Sequence, residues 1–244
     1  ARLTKFHEDL LSRLIRIKET LDSLSKIEGL SMSLVDKLYA ARELFKSASE
    51  KLGAVNNGAI VLQWLKESIL KTNDSFETLF EEAEKIPAGS EGLLFVPYLL
   101  GERAPIWDAS AEGTLLGIRI IHTRAHLIRA TLEGILFGLL SVTEILLPDL
   151  DKRHGTTIMA SGGFGKSELW LQMVADIFQM NVAVSETTEG SAWGAVLLGI
   201  KSIKIEVPDD NPPMKLFLPN PQNKKVYEQN FDKFKRVYSL LKEL

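Results

Sequence analysis

Thr156-Thr157-Ile158-Met159-Ala160-Ser161-Gly162-Gly163-Phe164-Gly165-Lys166-Ser167 is followed by an apolar, helix-forming run from Glu168 to Phe178. A β-type segment that enters a glycine turn and leaves as a helix turns backbone N–H groups and a helix N-terminus toward an anion, with no side chains in the way. That is chemistry for holding a nucleotide. Three readings fit these residues. As a P-loop, Ala160 is the small residue, four positions follow, and Gly165-Lys166-Ser167 closes the pattern, with Lys166 on the outer phosphates and Ser167 on magnesium. As an adenosine-contacting turn, the paired Gly162 and Gly163 let the chain pass close to base and ribose, and Lys166 is a surface charge. The third reading is a strand-to-helix turn with no ligand. A P-loop protein also needs a later apolar strand ending in a magnesium-binding Asp, and the sequence offers none.

Other segments separate these readings. Gly113-Thr114-Leu115-Leu116-Gly117-Ile118, then seven residues, then His126-Leu127-Ile128-Arg129-Ala130-Thr131-Leu132-Glu133-Gly134 resembles the C-terminal signature of the FGGY carbohydrate kinase family. Residues 97–108, from Pro97-Tyr98 through Gly101-Glu102-Arg103-Ala104-Pro105 to Trp107-Asp108, resemble the loop that precedes that signature. Ser161-Gly162-Gly163 with Gln172, Ala175-Asp176 and then Glu189-Gly190-Ser191-Ala192-Trp193-Gly194-Ala195 is similar to the family's adenosine loop. Asn56-Asn57-Gly58-Ala59-Ile60 with Gln63-Trp64-Leu65 is similar to its helix start near the phosphates, especially in the gluconate kinase branch. The segments stand in family order and the resemblance covers residues 53–244.

The resemblance implies an α/β actin-like ATPase (ribonuclease H-like) domain, incomplete here, that binds ATP with Mg2+ and serves phosphoryl transfer to a sugar or sugar-acid hydroxyl. It implies nucleotide contacts at Gly162, Gly163, Phe164 and Ser167, and at Gly58 and Gln63. It assigns no catalytic base: the family's Asp sits in an upstream Gly-Asp-Gln type turn that this sequence lacks, as it lacks the Thr-rich phosphate hairpin. Asp108 matches a structural loop position, Asp176 lies late in a helix as a surface or tether residue, and Asp209 lies in a solvent loop. Arg129 and Glu133 stand four apart on one helix and read as a pair. His126 reads as structural. The rival from another class is a non-catalytic helical interaction module on a kinase-derived scaffold.

Composition sets outer limits. Of 244 residues 45% are hydrophobic, enough for a sizeable core. The net charge of −3 gives no general attraction to nucleic acid or anionic membranes. The absence of cysteine excludes disulfides and thiolate ligation, and four scattered histidines show no metal-ligand spacing, so no metal ligands are assigned. The longest apolar run reads as too short to span a bilayer and the first residues show no signal pattern, so a cytoplasmic location is expected.

These residues must be positioned by a recognisable set of elements. Leu3, Leu10, Leu14, Ile17, Leu21 and Leu24, then Leu34, Leu38, Ala41, Phe45, Ala48 and Leu52, alternate in steps that suit an αα-hairpin over residues 1–52. Its seam packs on the rest of the chain or forms a homodimer. In the second part, 53–244, helices are expected over 56–70, 76–85, 122–147, Glu168–Phe178, 190–202 and 223–244. Strands are expected over 92–97, 114–118, 156–160 and 182–185. Tyr227, Phe231, Phe234 and Tyr238 form one stripe on the last helix and read as core.

Overall fold

The computed structural model describes residues 57–147, 156–160, 165, 167–185 and 214–242. The chain divides into two units, Ala1–Gly53 and Ala54–Leu244, and the described residues belong to the second. The helices expected within 1–52 and over 190–202, together with Gly162, Gly163, Phe164, Lys166 and Asp209, lie outside the described residues.

One long helix, α3 (Arg124–Leu146), preceded by α1 (Ala59–Trp64) and α2 (Phe76–Glu84), is the centre of the described core. The helix expected over 56–70 is two pieces: α1 starts only after Gly58 and gives way to a wider π-helical stretch, Leu65–Leu70, that stops at Lys71 in the left-handed region. Asn57 explains the late start. It is buried, its Nδ2 donates to the Gly101 carbonyl (2.7 Å) and to Glu102 Oε2 (3.0 Å), and its Oδ1 accepts from Leu100 N–H (3.3 Å). The side chain therefore clamps the 97–108 loop onto the start of α1. Helix α2 begins at Ser75, whose Oγ accepts from Thr78 N–H, a standard N-cap.

Strands β1 (Leu94–Val96) and β2 (Thr114–Leu116) form an antiparallel pair. β1 is buried throughout, and Pro97, which has no N–H to give a ladder, lies just past its end. A second sheet has the order β3-β4-β5: β3 (Thr157–Ala160) runs parallel to β4 (Asn181–Ser185) through α4 (Glu168–Phe178), and β5 (Met214–Phe217) is antiparallel to β4. β5 is absent from the sequence reading. Four residues with one buried side chain give too short an alternation to register. The last helix, α5 (Pro221–Leu241), starts two residues earlier than expected because Asn220 caps it and Pro221 occupies the first turn. Its Tyr227, Phe231 and Phe234 are buried against Phe137 of α3 as the stripe implies, and Tyr238 packs edge-on to Tyr98.

α3 corrects one expectation. By length and composition it is apolar enough to cross a bilayer, yet 78% of its most apolar window is buried inside this protein. It is hydrophobic all round because it is packed all round, by β1, α2, α4 and α5.

Candidate functional site

Gly58, Gln63 and Ser167, from two distant parts of the sequence, meet at the edge of one cleft of 790 Å³. The start of α1 forms one side and the first turn of α4, Ser167 to Trp170, another. Ile135 and Leu139 of α3, with Leu62, give an apolar floor. α2 supplies the remaining wall with Phe76 and Phe80, whose rings stack at 6.2 Å, and with Glu77, Glu81 and Glu84. Phe80 also meets the Trp170 ring edge-on at 5.8 Å, which ties α2 to the start of α4. An apolar, aromatic interior with a few polar groups at its margins suits a small planar ligand.

Each predicted residue can now be placed. Ser167 is the N-cap of α4, its Oγ accepting from Trp170 N–H at 3.2 Å, which leaves the hydroxyl hydrogen free to donate. Gln63 is exposed and bonds to Glu67 one turn on. A Cβ added at Gly58 would meet nothing within 4 Å, so the chain itself leaves that space open. Ala160, Gly165 and Ser167 flank the glycine turn, while its centre lies outside the described residues. The strands after the turn, β4 and β5, read Asn-Val-Ala-Val-Ser and Met-Lys-Leu-Phe, and neither carries the acid a P-loop requires. The α2 residues went unrecognised as site residues: 76, 80 and 77, 81, 84 follow ordinary helical spacing, and nothing local says that this face borders an open space.

Two of the aspartates considered as proton acceptors, Asp108 and Asp176, are committed to structural bonds. Asp108 Oδ1 accepts from Ser110 Oγ (2.6 Å) and Ser110 N–H (2.8 Å), and Oδ2 from the Tyr238 hydroxyl (2.5 Å). These bonds, Ser110 first, hold its carboxyl down to about 2, far too weak a base to take a hydroxyl proton near neutrality. Asp176 is buried and accepts from Gln172, from Asn220 N–H (2.8 Å) and from Asn223 Nδ2 (2.7 Å), tying α4 to the start of α5. Of the two roles expected for Asp176, tether and surface residue, the first is realised. No three His, Asp or Glu among the described residues converge in a way that could hold a metal ion.

Arg129 and Glu133 pair as their spacing implies, at 2.9 Å, but the pair is buried and extends further. Glu133 also accepts from Gly89 N–H, Ser90 Oγ and the Tyr227 hydroxyl, which in turn accepts from Arg129. Burial pushes the Glu133 carboxyl up, and Arg129 with the surrounding donors pulls it back. This network holds Gly89, Ser90, Glu91 and Gly92, four consecutive residues in the left-handed region that cost about 1–3 kcal/mol apiece where they are not glycine. His126 completes it: Nδ1 accepts from Thr123 N–H, so the proton sits on Nε2 and points to Glu91 Oε2 at 2.9 Å. The structural role expected of His126 is thereby observed.

Comparison with known proteins agrees with this architecture. The family model of the FGGY family of carbohydrate kinases, C-terminal domain, matches residues 52–203. A gluconokinase of Bacillus subtilis is 41% identical over 157 residues, covering 61% of this chain and 30% of the relative. A xylulose kinase structure from Lactobacillus acidophilus superimposes with a TM-score of 0.69 at 30% identity, over 77% of this chain and 39% of that one. A glycerol kinase of Plasmodium falciparum, solved with ADP, does so with a TM-score of 0.61 at 25% identity, over 72% and 36%. The chain thus spans well under half the length of the relatives it matches.

Proposed function

The chain belongs to the FGGY family of carbohydrate kinases, with the actin-like ATPase fold of its structural neighbours, and from that premise we propose that the cleft between α1, α2 and α4 holds the nucleotide of an ATP-dependent phosphoryl transfer to a sugar or sugar-acid hydroxyl. The observation that carries the reading is the convergence of Gly58, Gln63 and Ser167 on one aromatic-walled cleft. Gly162, Gly163 and Phe164 belong to the turn between the flanks Ala160 and Ser167, and in this reading that turn lies along the adenosine. Gluconate is the favoured acceptor, since identity to a gluconokinase reaches 41% against 35% to a xylulose kinase, though the latter extends over more of the chain.

Catalysis in such a system is positioning plus charge neutralisation on the transferred phosphoryl group. The described residues contribute an apolar floor that excludes water and a helix start at Ser167 near which anionic groups are stabilised. Asp108 and Asp176 are tied into structural bonds and no acidic cluster among these residues could cage magnesium, so magnesium enters this proposal with the phosphates and their water rather than through these side chains. The 244-residue chain is accordingly expected to bind nucleotide weakly and to show no sugar-dependent ADP release with gluconate or a pentulose. A homodimer through residues 1–52 remains part of the proposal and is read from the oligomeric state in solution.

Calorimetry with ATP tests the site. Gly163→Leu puts a side chain where adenosine must lie and should abolish measurable binding. Lys166→Ala should change affinity less than about threefold, whereas a P-loop lysine would cost an order of magnitude or more. Unchanged affinity in Gly163→Leu overturns the adenosine-turn assignment. Absence of nucleotide binding by the unmodified chain favours the non-catalytic interaction module instead.

A further inference from the structure

A second cavity, of 360 Å³, lies among the 97–108 loop, the C-terminal end of α3 and α5, and shares no lining residue with the cleft. Pro105 and Ile106 of the loop, Ile145 of α3 and the rings of Tyr98, Phe234 and Tyr238 give it apolar walls. The rings make a corner, Tyr98 meeting Phe234 edge-on at 5.9 Å and Tyr238 edge-on at 6.1 Å. The volume is at the lower end of the range that holds small organic ligands, room for one substituted ring.

Most polar groups around this space are already spent. Tyr238 gives its hydroxyl hydrogen to Asp108, and Ser141 gives its own to the Phe137 carbonyl at 2.9 Å. Lys235 stands 3.4 Å from Glu144 and 3.6 Å from Asp232, with its ammonium over the Phe231 ring. These charges offset one another in partly exposed positions and exert little pull on an ion. Ser239 is exposed. Tyr98 is the exception. It is only 3% exposed, yet among the described residues its hydroxyl has no hydrogen-bond partner. Burial, ahead of Glu102 and Tyr238, pushes that phenol up, so the group keeps its proton and can donate as well as accept. A buried hydroxyl left without a partner is costly, and what fills the space beside it has that bond to gain.

We propose that this cavity binds a small neutral aromatic alcohol of the phenol class, its ring against Tyr98, Phe234 and Tyr238 and its hydroxyl bonded to that of Tyr98. The ligand is neutral because the charges beside the cavity cancel. It is aromatic because walls of ring edges and faces favour another ring. It carries a hydroxyl because one deeply buried protein group lacks a partner. The proposal is independent of the nucleotide reading of the cleft.

The discriminating pair of probes is 4-fluorophenol and fluorobenzene, which differ in the hydroxyl alone. Each is titrated into the 244-residue chain and followed by fluorine NMR. 4-Fluorophenol should bind about fivefold more tightly, the size of one net neutral hydrogen bond. In Tyr98→Phe the ring and its packing remain, and the ratio should fall to unity or below, since the ligand hydroxyl would then be buried unbonded. Thermal unfolding checks the variant, whose midpoint should be equal to or above that of the unmodified chain because an unsatisfied hydroxyl has been removed. Equal binding of the two probes, binding of neither, or a preference that survives Tyr98→Phe overturns the proposal. So does a clear drop in the Tyr98→Phe midpoint, which would mean that the hydroxyl is bonded within the protein.

Discussion

α3 serves two neighbourhoods built on opposite principles. Around Glu133 each polar group finds its partner inside the protein: Arg129, Gly89 N–H, Ser90 Oγ and the Tyr227 hydroxyl converge on one buried carboxylate. A few residues along the same helix, Ile135 and Leu139 line an open cleft whose margin carries the exposed Glu81 and Glu84. The difference follows from solvation. A buried charge is tolerable only if its hydrogen bonds are closed, whereas an exposed carboxylate keeps its water and stays available to something else. Closure marks the scaffold; open polar groups around an apolar floor mark the candidate site.

Removing the hub of the closed region should have the largest effect. Glu133→Ala leaves Arg129 buried without its counter-charge and strips the 89–92 turn of its anchor, an expected loss of about 3–5 kcal/mol in urea unfolding. The same truncation at Glu81 on the cleft margin should stay within about 0.5 kcal/mol. Similar losses at the two positions would erase the contrast between the regions.

Two glycines of α3 sharpen it further. A Cβ at Gly134 would collide with the backbone carbonyl oxygen of Phe95 on β1, so Gly134→Ala should cost about 2–3 kcal/mol by forcing helix and strand apart. At Gly138, one turn on, a Cβ meets nothing within 4 Å, and Gly138→Ala should stabilise by about 0.5–1 kcal/mol through backbone entropy. Thermal unfolding of both variants reads the opposite signs; the same sign in each would contradict the close seating of α3 on β1.

The smallest effect is a pH dependence outside the buried region. Asp108 is held from an ordinary 3.8 down to about 2 by Ser110 and Tyr238. Its contribution is complete above the unfolded value and disappears as pH falls through about 2. Unfolding midpoints measured from pH 5 to pH 2 should therefore converge between the unmodified protein and Asp108→Asn as pH drops. Parallel curves would mean that the Tyr238 tether carries no weight.

Much of this molecule is legible in its residues because local chemistry decides it. Glu168–Phe178 emerges with its observed bounds. Arg129 and Glu133 pair because helical spacing brings them together. The ordered segments from residue 53 onward announce the family. By itself the sequence thus determined most of the described elements, the Arg129–Glu133 pairing within a helix and the kinship.

Tertiary structure decided the rest, since the rest depends on which surfaces face one another. Nothing local distinguishes α3 from a membrane-spanning helix; burial of its apolar window by the elements packed around it does. Nothing local tells Asn57 to hold the 97–108 loop, or shows that Asp108 is bound by a tyrosine far along the chain. The glutamates of α2 are an unremarked polar stripe until the packing of α2 against α3 and α4 turns one face to an apolar cleft and the other to Arg124. A helix carries its period in its sequence, but the meaning of each face is set by what is, or is not, packed against it.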